Sequence, residues 1–204
     1  MKNRDFFEDY AKSFLKQNAV LNLISKNDEK LLFEKHIYDS MAIEKVFEKY
    51  PVKENFRLLD IGTGGGFPSV IIALLYPEIE VFALDSIKKK VNAIENIKSD
   101  LDIKNLHTIC DRAENINDKF DIITSRAVAP MKVILGYAMP LLKKNGIFVA
   151  YKSLKVKEEL YEAKQVLKKF NCEIKDIIEY NLPTEESHTR NLVVCQLLAQ
   201  DKLL

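Results

Sequence analysis

Four of the chain's six glycines, Gly62, Gly64, Gly65 and Gly66, fall in the run Asp60-Ile61-Gly62-Thr63-Gly64-Gly65-Gly66-Phe67. Glycine is needed where a backbone turns sharply or where a ligand approaches it with no side chain between. The run directly follows a strand candidate, Arg57 to Ile61, and so lies at the carboxyl edge of a sheet, where α/β folds bind ligands. A purely structural turn is the competing reading. Phe67 stands where a dinucleotide fingerprint needs its third glycine, and the Gly-Lys-Ser/Thr of a P-loop is missing. Asp85 closes the next strand candidate. Its two oxygens can accept hydrogen bonds from vicinal ribose hydroxyls, which points to a ligand with a nucleoside portion. Capping the following helix together with Ser86 is the plainer alternative.

Other residues at strand ends suit substrate handling. Arg126 follows the fourth strand candidate, where a guanidinium can stack on a base or fork onto a phosphate, and an ordinary salt bridge competes with both. Lys152 ends the fifth. His36 and Asp39 are three apart on a predicted helix and share a face, so they either organise a cover over the site or pair with each other. Cys110, Cys172 and Cys195 are widely separated, odd in number and without C-x-x-C spacing. They suggest neither a disulfide framework nor a zinc site, and the expectation is buried free thiols with no bound metal.

Positioning these groups requires an α/β fold. From Phe56 onward, short apolar runs alternate with segments of helical periodicity, the mark of βαβ units and a mainly parallel sheet. The predicted strands are Arg57 to Ile61, Glu80 to Leu84, Leu106 to Cys110, Asp121 to Thr124, Ile147 to Tyr151, Glu173 to Tyr180 and Asn191 to Leu198. Helices are predicted from Pro68 to about Leu75, after Ser86, from Pro130 to near Leu142, and from Val156 to Phe170, with Asn145-Gly146 turning into the fifth strand. The connector 181–190 is too short for a crossover helix, so the last two strands form an antiparallel hairpin. The expected sheet is seven-stranded and Rossmann-like, mainly parallel with one antiparallel strand. Before it, Phe6, Phe7, Tyr10, Phe14 and Leu15 mark one amphipathic helix, and Leu32, Phe33, Ile37, Met41 and Phe47 a second, joined through Asn18 to Asn27. Residues 1–50 therefore form a helical cap on a core of 56–204, within one domain spanning 1–204.

Thirty-one basic residues nearly cancel thirty acidic ones, so overall charge gives nucleic-acid binding no support. Lysine clusters at 88–90, 143–144, 152–157 and 164–169 are ordinary solvated faces on the plainer reading. No stretch approaches the run of about 18 apolar residues that spans a bilayer, and Met1-Lys2-Asn3-Arg4-Asp5 is unlike a signal peptide. A soluble, cytoplasmic chain is expected.

Taken together the motifs resemble the 16S ribosomal RNA guanine-N7 methyltransferases, the family also called glucose-inhibited division protein B. The resemblance covers almost the whole chain. It rests on Asn22-Leu23-Ile24-Ser25, His36-Ile37-Tyr38-Asp39-Ser40, the glycine loop with Phe67-Pro68, Leu84-Asp85-Ser86, Arg112-Ala113-Glu114 and Ser125-Arg126-Ala127. The Asp/Glu-x-Gly-x-Gly-x-Gly loop is shared with methyltransferases at large, whereas His-x-x-Asp-Ser and Ser-Arg-Ala are more specific. The resemblance implies a class I methyltransferase fold with S-adenosyl-L-methionine as cofactor. It places Gly62, Gly64, Gly66, Phe67, Asp85, Ser86, Ala113, Glu114 and Arg126 at the cofactor. It also implies that Arg126 and Lys152 position substrate, that His36, Asp39 and Ser40 lie on the cap or substrate side, and that a monomer acts on 16S ribosomal RNA or the small ribosomal subunit. Departures are Ser153 where the family often has glycine after the lysine, Gln17-Asn18 in place of Trp-Asn, and the absence of tryptophan.

The implied chemistry is in-line methyl transfer without a general base, because guanine N7 offers a lone pair and has no proton to lose. Ser125-Arg126-Ala127 provides neither the Asp/Asn-Pro-Pro-Tyr/Phe of exocyclic-amine methyltransferases nor the cysteine nucleophile of cytosine-C5 enzymes. Two alternatives stay open: a methyltransferase acting on a small molecule, and a non-catalytic RNA-binding assembly factor.

Overall fold

The computed structural model describes residues 4–186 and 188–198. The ends of the expected 1–204 domain, including Met1-Lys2-Asn3, lie outside them. Strands that are apolar at consecutive positions must be covered on both faces, and the sheet is built that way. Strands β1 (Arg57–Ile61), β2 (Glu80–Asp85), β3 (Leu106–Cys110), β4 (Phe120–Arg126) and β5 (Leu142–Lys152) run parallel. β6 (Cys172–Leu182) and β7 (His188–Leu197) form the hairpin, and β7 lies antiparallel between β5 and β6. The seven strands are ordered β3-β2-β1-β4-β5-β7-β6. Leu58, Val81, Ile122 and Val149 face one helix layer, while Leu59, Ile123, Phe148 and Ala150 face the other. Fully burying such a side chain is worth about 1.5–3 kcal/mol, which is why this alternation fixes the two layers.

The cap begins with α1 (Glu8–Leu21), followed by α2 (Lys26–Glu29), a π-helical turn Phe33–Ile37, α3 (Tyr38–Met41) and α4 (Glu44–Phe47). α1 runs through Asn18 to Leu21, residues expected in the connector, and ends at Asn22 with a left-handed φ of 50°. Phe7, Tyr10 and Phe14 are buried, whereas Phe6 and Leu15 are exposed. The predicted second helix is broken into short turns. Met41, Ala42, Ile43, Val46 and Phe47 are all buried, so this stretch is apolar on more than one face and cannot bury itself as one straight amphipathic rod. Cap and sheet residues share one apolar cluster. A side chain on Gly65 would put its Cβ 3.1 Å from Phe14 and 3.3 Å from Leu23, so that glycine is where the cap seats on the loop.

Beyond β1, α5 (Ser69–Leu75) and α6 (Lys88–Asp100) cover the cap-side face, while α7 (Met131–Ala138) and α8 (Val156–Lys169) cover the other. Several strands are longer than expected. β5 starts at Leu142 and passes through Asn145-Gly146, the predicted turn. A Cβ on Gly146 would stand 2.9 Å from the carbonyls of Asp121 and Lys143, and the register with β4 shifts between Phe120 and Ile122. The turn signal therefore marks a close, irregular stretch inside a strand. The hairpin connector shrinks to 183–187, which moves His188 and Arg190 into β7. Cys172 and Cys195 are buried as expected, but Cys110 is exposed because it closes β3 at the sheet's open edge.

Asn105 is buried, and its Nδ2 donates to the carbonyls of Ala73, Tyr76 and Ile79 at 3.2, 3.1 and 3.0 Å. These include carbonyls that α5 leaves unpaired as it ends. Asn105→Ala is expected to destabilise the protein by roughly 1–3 kcal/mol, the penalty for orphaning buried polar groups. Urea unfolding checks this, with an unchanged m value showing that the denatured state is unaltered.

Candidate active site

The carboxyl ends of β1 to β4 enclose a cavity of about 380 Å3. Gly62, Asp85, Ser86, Ala113 and Glu114 line it, along with Leu84, Lys90 and Val128. Asp85 Oδ2 accepts the Gly64 N–H at 3.0 Å, and Oδ1 accepts the Ile87 N–H at 2.9 Å. The carboxylate thus holds the turn that leads into α6 and ties down the glycine loop, yet each oxygen keeps a further lone pair for a ligand hydroxyl. Asp60 braces the loop from beneath. It is fully buried and accepts the Thr124 hydroxyl at 2.9 Å and the Ser69 N–H at 3.3 Å. Burial pushes its pKa up to about 6, while hydrogen bonds from Thr63 and Thr124 hold it back.

Gly62 has a φ of 71°, and a Cβ there would fall 2.4 Å from Val128 Cγ2. Any side chain would press on Val128 in the segment after β4 and would adopt a left-handed backbone that favours glycine. Gly66 is not among the residues of the cavity wall; its missing side chain makes room for Val70, 2.5 Å from where a Cβ would stand.

A second cavity of about 600 Å3 lies beside the first, under the cap, lined by His36, Asp39, Arg126, Lys152 and the unforeseen Tyr151, Glu159 and Arg190. Ala127 and Val128 line both cavities, so they stand at the boundary between them. Ala127 has a φ of 56°, a left-handed conformation that alanine rarely adopts and that is held here from both sides. On one side is Arg126. On the other, Lys152 Nζ donates to the Ala129 carbonyl at 2.8 Å and pairs with Glu159 at 2.7 Å. Glu159 also accepts the Met131 N–H at 2.8 Å.

Arg126 is the centre of the cap-side wall. It donates to Asp39 Oδ2 at 2.9 Å and to His36 Nδ1 at 3.1 Å, and its guanidinium sits 5.1 Å from the Phe67 ring centroid. His36 and Asp39 therefore do not pair with each other; both turn to Arg126. Phe67 is buried beneath them, in ring contact with His36, Tyr10 and Phe14, and supports the wall from behind. Ser40 is also behind the wall: its Oγ donates to the His36 carbonyl at 2.7 Å, and its own carbonyl accepts the Tyr151 hydroxyl at 2.9 Å. Burial, and then the charge of Arg126, lower the His36 pKa to about 4. A guanidinium only donates, so Nδ1 is the acceptor and the neutral ring carries its proton on Nε2.

Two of the residues overlooked in the sequence share one origin, the β6–β7 hairpin. Tyr180 Oη donates to Asp39 Oδ1 at 2.6 Å, and Arg190 lies opposite Tyr180 in the hairpin. An antiparallel strand brings its first residues to the carboxyl edge of its parallel neighbours, so the start of β7 was the legible signal.

The profile of the family described as "GidB: rRNA small subunit methyltransferase G" matches residues 3–193. The chain belongs to that family. "Ribosomal RNA small subunit methyltransferase G" of Desulfitobacterium hafniense (strain Y51) is 37% identical over 194 residues, 92% of this chain and 79% of that protein. The protein of the same name from Listeria monocytogenes serotype 4b (strain F2365) is 35% identical over 196 residues, 92% and 80% of the two chains. Among solved structures, precorrin-6y C5,15-methyltransferase from Geobacter metallireducens GS-15 superposes with a TM-score of 0.60 at 15% identity, covering 78% of this chain and 88% of that one. A SAM-dependent O-methyltransferase from Thermotoga maritima gives 0.60 at 16%, covering 81% and 66%. At these identities the structures speak for the fold alone, the class I methyltransferase sheet.

This family member is a methyltransferase whose methyl donor is S-adenosyl-L-methionine. The residues present fit that donor: the open backbone at Gly62, the Asp85 carboxylate and the apolar Leu84 and Ala113 together suit a nucleoside with vicinal hydroxyls.

The Asp39–Arg126 pair can be tested by a double-mutant cycle. Asp39 is 4% exposed, so Arg126→Met leaves a buried carboxylate under-compensated and is expected to cost about 3–5 kcal/mol in urea unfolding. In an Asp39→Asn background the same change costs markedly less. Equal costs in both backgrounds would show that the pair is not coupled.

Proposed function

We propose that the protein transfers a methyl group to N7 of a guanine in 16S ribosomal RNA. The observation that carries this reading is that His36, Asp39, Glu159 and Asp28, acid–base groups of the larger cavity, already have committed partners, while His188 at its β7 edge is held through Nδ1 to the Glu186 carbonyl. His36 Nδ1 is taken by Arg126, and Asp39 by Tyr180 and Arg126. Glu159 is held by Lys152 and the Met131 N–H, and Asp28 by Lys35 and Ser25. Methylating a hydroxyl or an exocyclic amine requires a proton to leave, and these groups are poorly placed to take it. Guanine N7 has a lone pair and no proton. The names of the relatives support small-subunit ribosomal RNA as the carrier of that base.

When bound, S-adenosyl-L-methionine supplies a sulfonium methyl, an electrophile that needs no further activation. On this reading Gly62, Asp85, Ser86, Ala113 and Glu114 hold the cofactor directly, with Gly64 acting through Asp85. Arg126 and Lys152 shape the boundary at Ala127-Val128 that the base must reach, and His36, Asp39 and Ser40 keep Arg126 in place. The residues do their work by orientation, which in favourable systems supplies about 7–11 kcal/mol of barrier reduction. One chain lines both cavities, so a monomer suffices. Among the described residues no helix is long and apolar enough to cross a membrane, and we assign the reaction to the cytoplasm.

The test is transfer of labelled methyl from S-adenosyl-L-methionine to small ribosomal subunits lacking this modification, with mass identification of the nucleoside after digestion. The expected product is 7-methylguanosine. Gly62→Asp should abolish both cofactor binding and product, since it adds bulk at a left-handed position and a second carboxylate beside Asp85. Cofactor binding without transfer to subunits or their RNA would overturn the RNA reading and leave a small-molecule acceptor.

A further inference from the structure

The charges around the larger cavity do not cancel. Among the described residues, four cations, Lys35, Arg126, Lys152 and Arg190, and three carboxylates, Asp28, Asp39 and Glu159, line it, together with His36 and His188. Lys35 pairs with Asp28 at 3.0 Å, Arg126 with Asp39 at 2.9 Å, and Lys152 with Glu159 at 2.7 Å. His36 is neutral, with a pKa near 4. Arg190 is left over. Its nearest carboxylate oxygen is Asp39 Oδ1, 4.0 Å from Nε, and that oxygen already accepts the Tyr180 hydroxyl while its carboxylate is neutralised by Arg126.

Position reinforces the count. Arg190 sits near the start of β7, one residue before Asn191, which pairs with Lys152. Its side chain is one-third exposed, against 15% for Arg126 and 11% for Lys152. It is thus the most exposed of the strand-end cations that line the cavity. A planar guanidinium with spare N–H donors, held in β7 by strand pairing and, among the described residues, with no anion closer than 4.0 Å, matches an anionic group with two or more oxygens.

We propose that Arg190 binds a backbone phosphate of the RNA beside the target nucleotide. It acts as a positioning residue, fixing the strand so that the base enters the cavity, and it does not touch the base. This inference rests on the ribosomal RNA reading above.

The test compares wild type, Arg190→Gln and Arg190→Lys on the unmodified small subunit, with S-adenosylhomocysteine binding as the check on folding. A lost phosphate contact flattens the dependence of log affinity on log salt by about 0.7–0.9 for one phosphate. Arg190→Gln is expected to show that change and a KM for subunits raised roughly tenfold at low salt, the weight of one charge-assisted contact, with kcat nearly unchanged. Arg190→Lys, which keeps the charge, should restore most of the slope. An unchanged slope and KM, with wild type active, would overturn the phosphate assignment alone. A loss of kcat with an unchanged slope would also overturn it, because it would place Arg190 on the base. If wild type itself fails to methylate subunits, the broader reading fails instead.

Discussion

A carboxylate taken out of water is tolerated only when it is paired and hydrogen-bonded, and Asp39 of α3 meets that condition with groups from two other elements. Arg126 comes from the end of β4 and Tyr180 from β6 of the hairpin. The cap, the centre of the sheet and the hairpin at its far edge therefore meet on one anion. No local propensity dictates this; it follows from the cost of leaving a buried charge unmatched. The substrate-side cavity is the space this meeting leaves between cap and sheet.

The cofactor half depends on a different carboxylate. Asp60, one residue before the end of β1, holds Ser69 at the entry to α5 and Thr124 on β4, so the glycine loop and the fourth strand share one anchor. Two residues beyond Thr124 stands Arg126, and beyond it the strained Ala127 and its neighbour Val128, at the boundary of the two cavities. The loop that would cradle the cofactor and the residues that shape access to substrate are thus supported by one pair of neighbouring strands.

Much of this was legible in the sequence because it is local. The concentration of glycines before Phe67 marked the loop, Asp85 marked the second strand's end, and consecutive apolar residues such as Leu58-Leu59 and Ile122-Ile123 announced a sheet covered on both faces. The cap was legible only in outline: five buried apolar residues between Met41 and Phe47 exceed what one helix face can hide, and periodicity does not say where such a chain will bend. Arg190 and Tyr180 were missed because their role comes from the reversed direction of β7, a long-range fact. Glu159 was missed because helical spacing shows only that it is exposed to one side, not that it caps Met131.

The central claim is that this site works by holding and orienting, with no protein base in the chemical step. Single-turnover methyl transfer to unmodified small subunits, measured from about pH 6 to 9, tests it most directly. The account predicts a chemical rate that stays flat across this range, because the acceptor carries no proton and His36 remains neutral throughout. A rate that rises tenfold per pH unit to a plateau within this range would contradict it and require an ionising protein base in the chemical step.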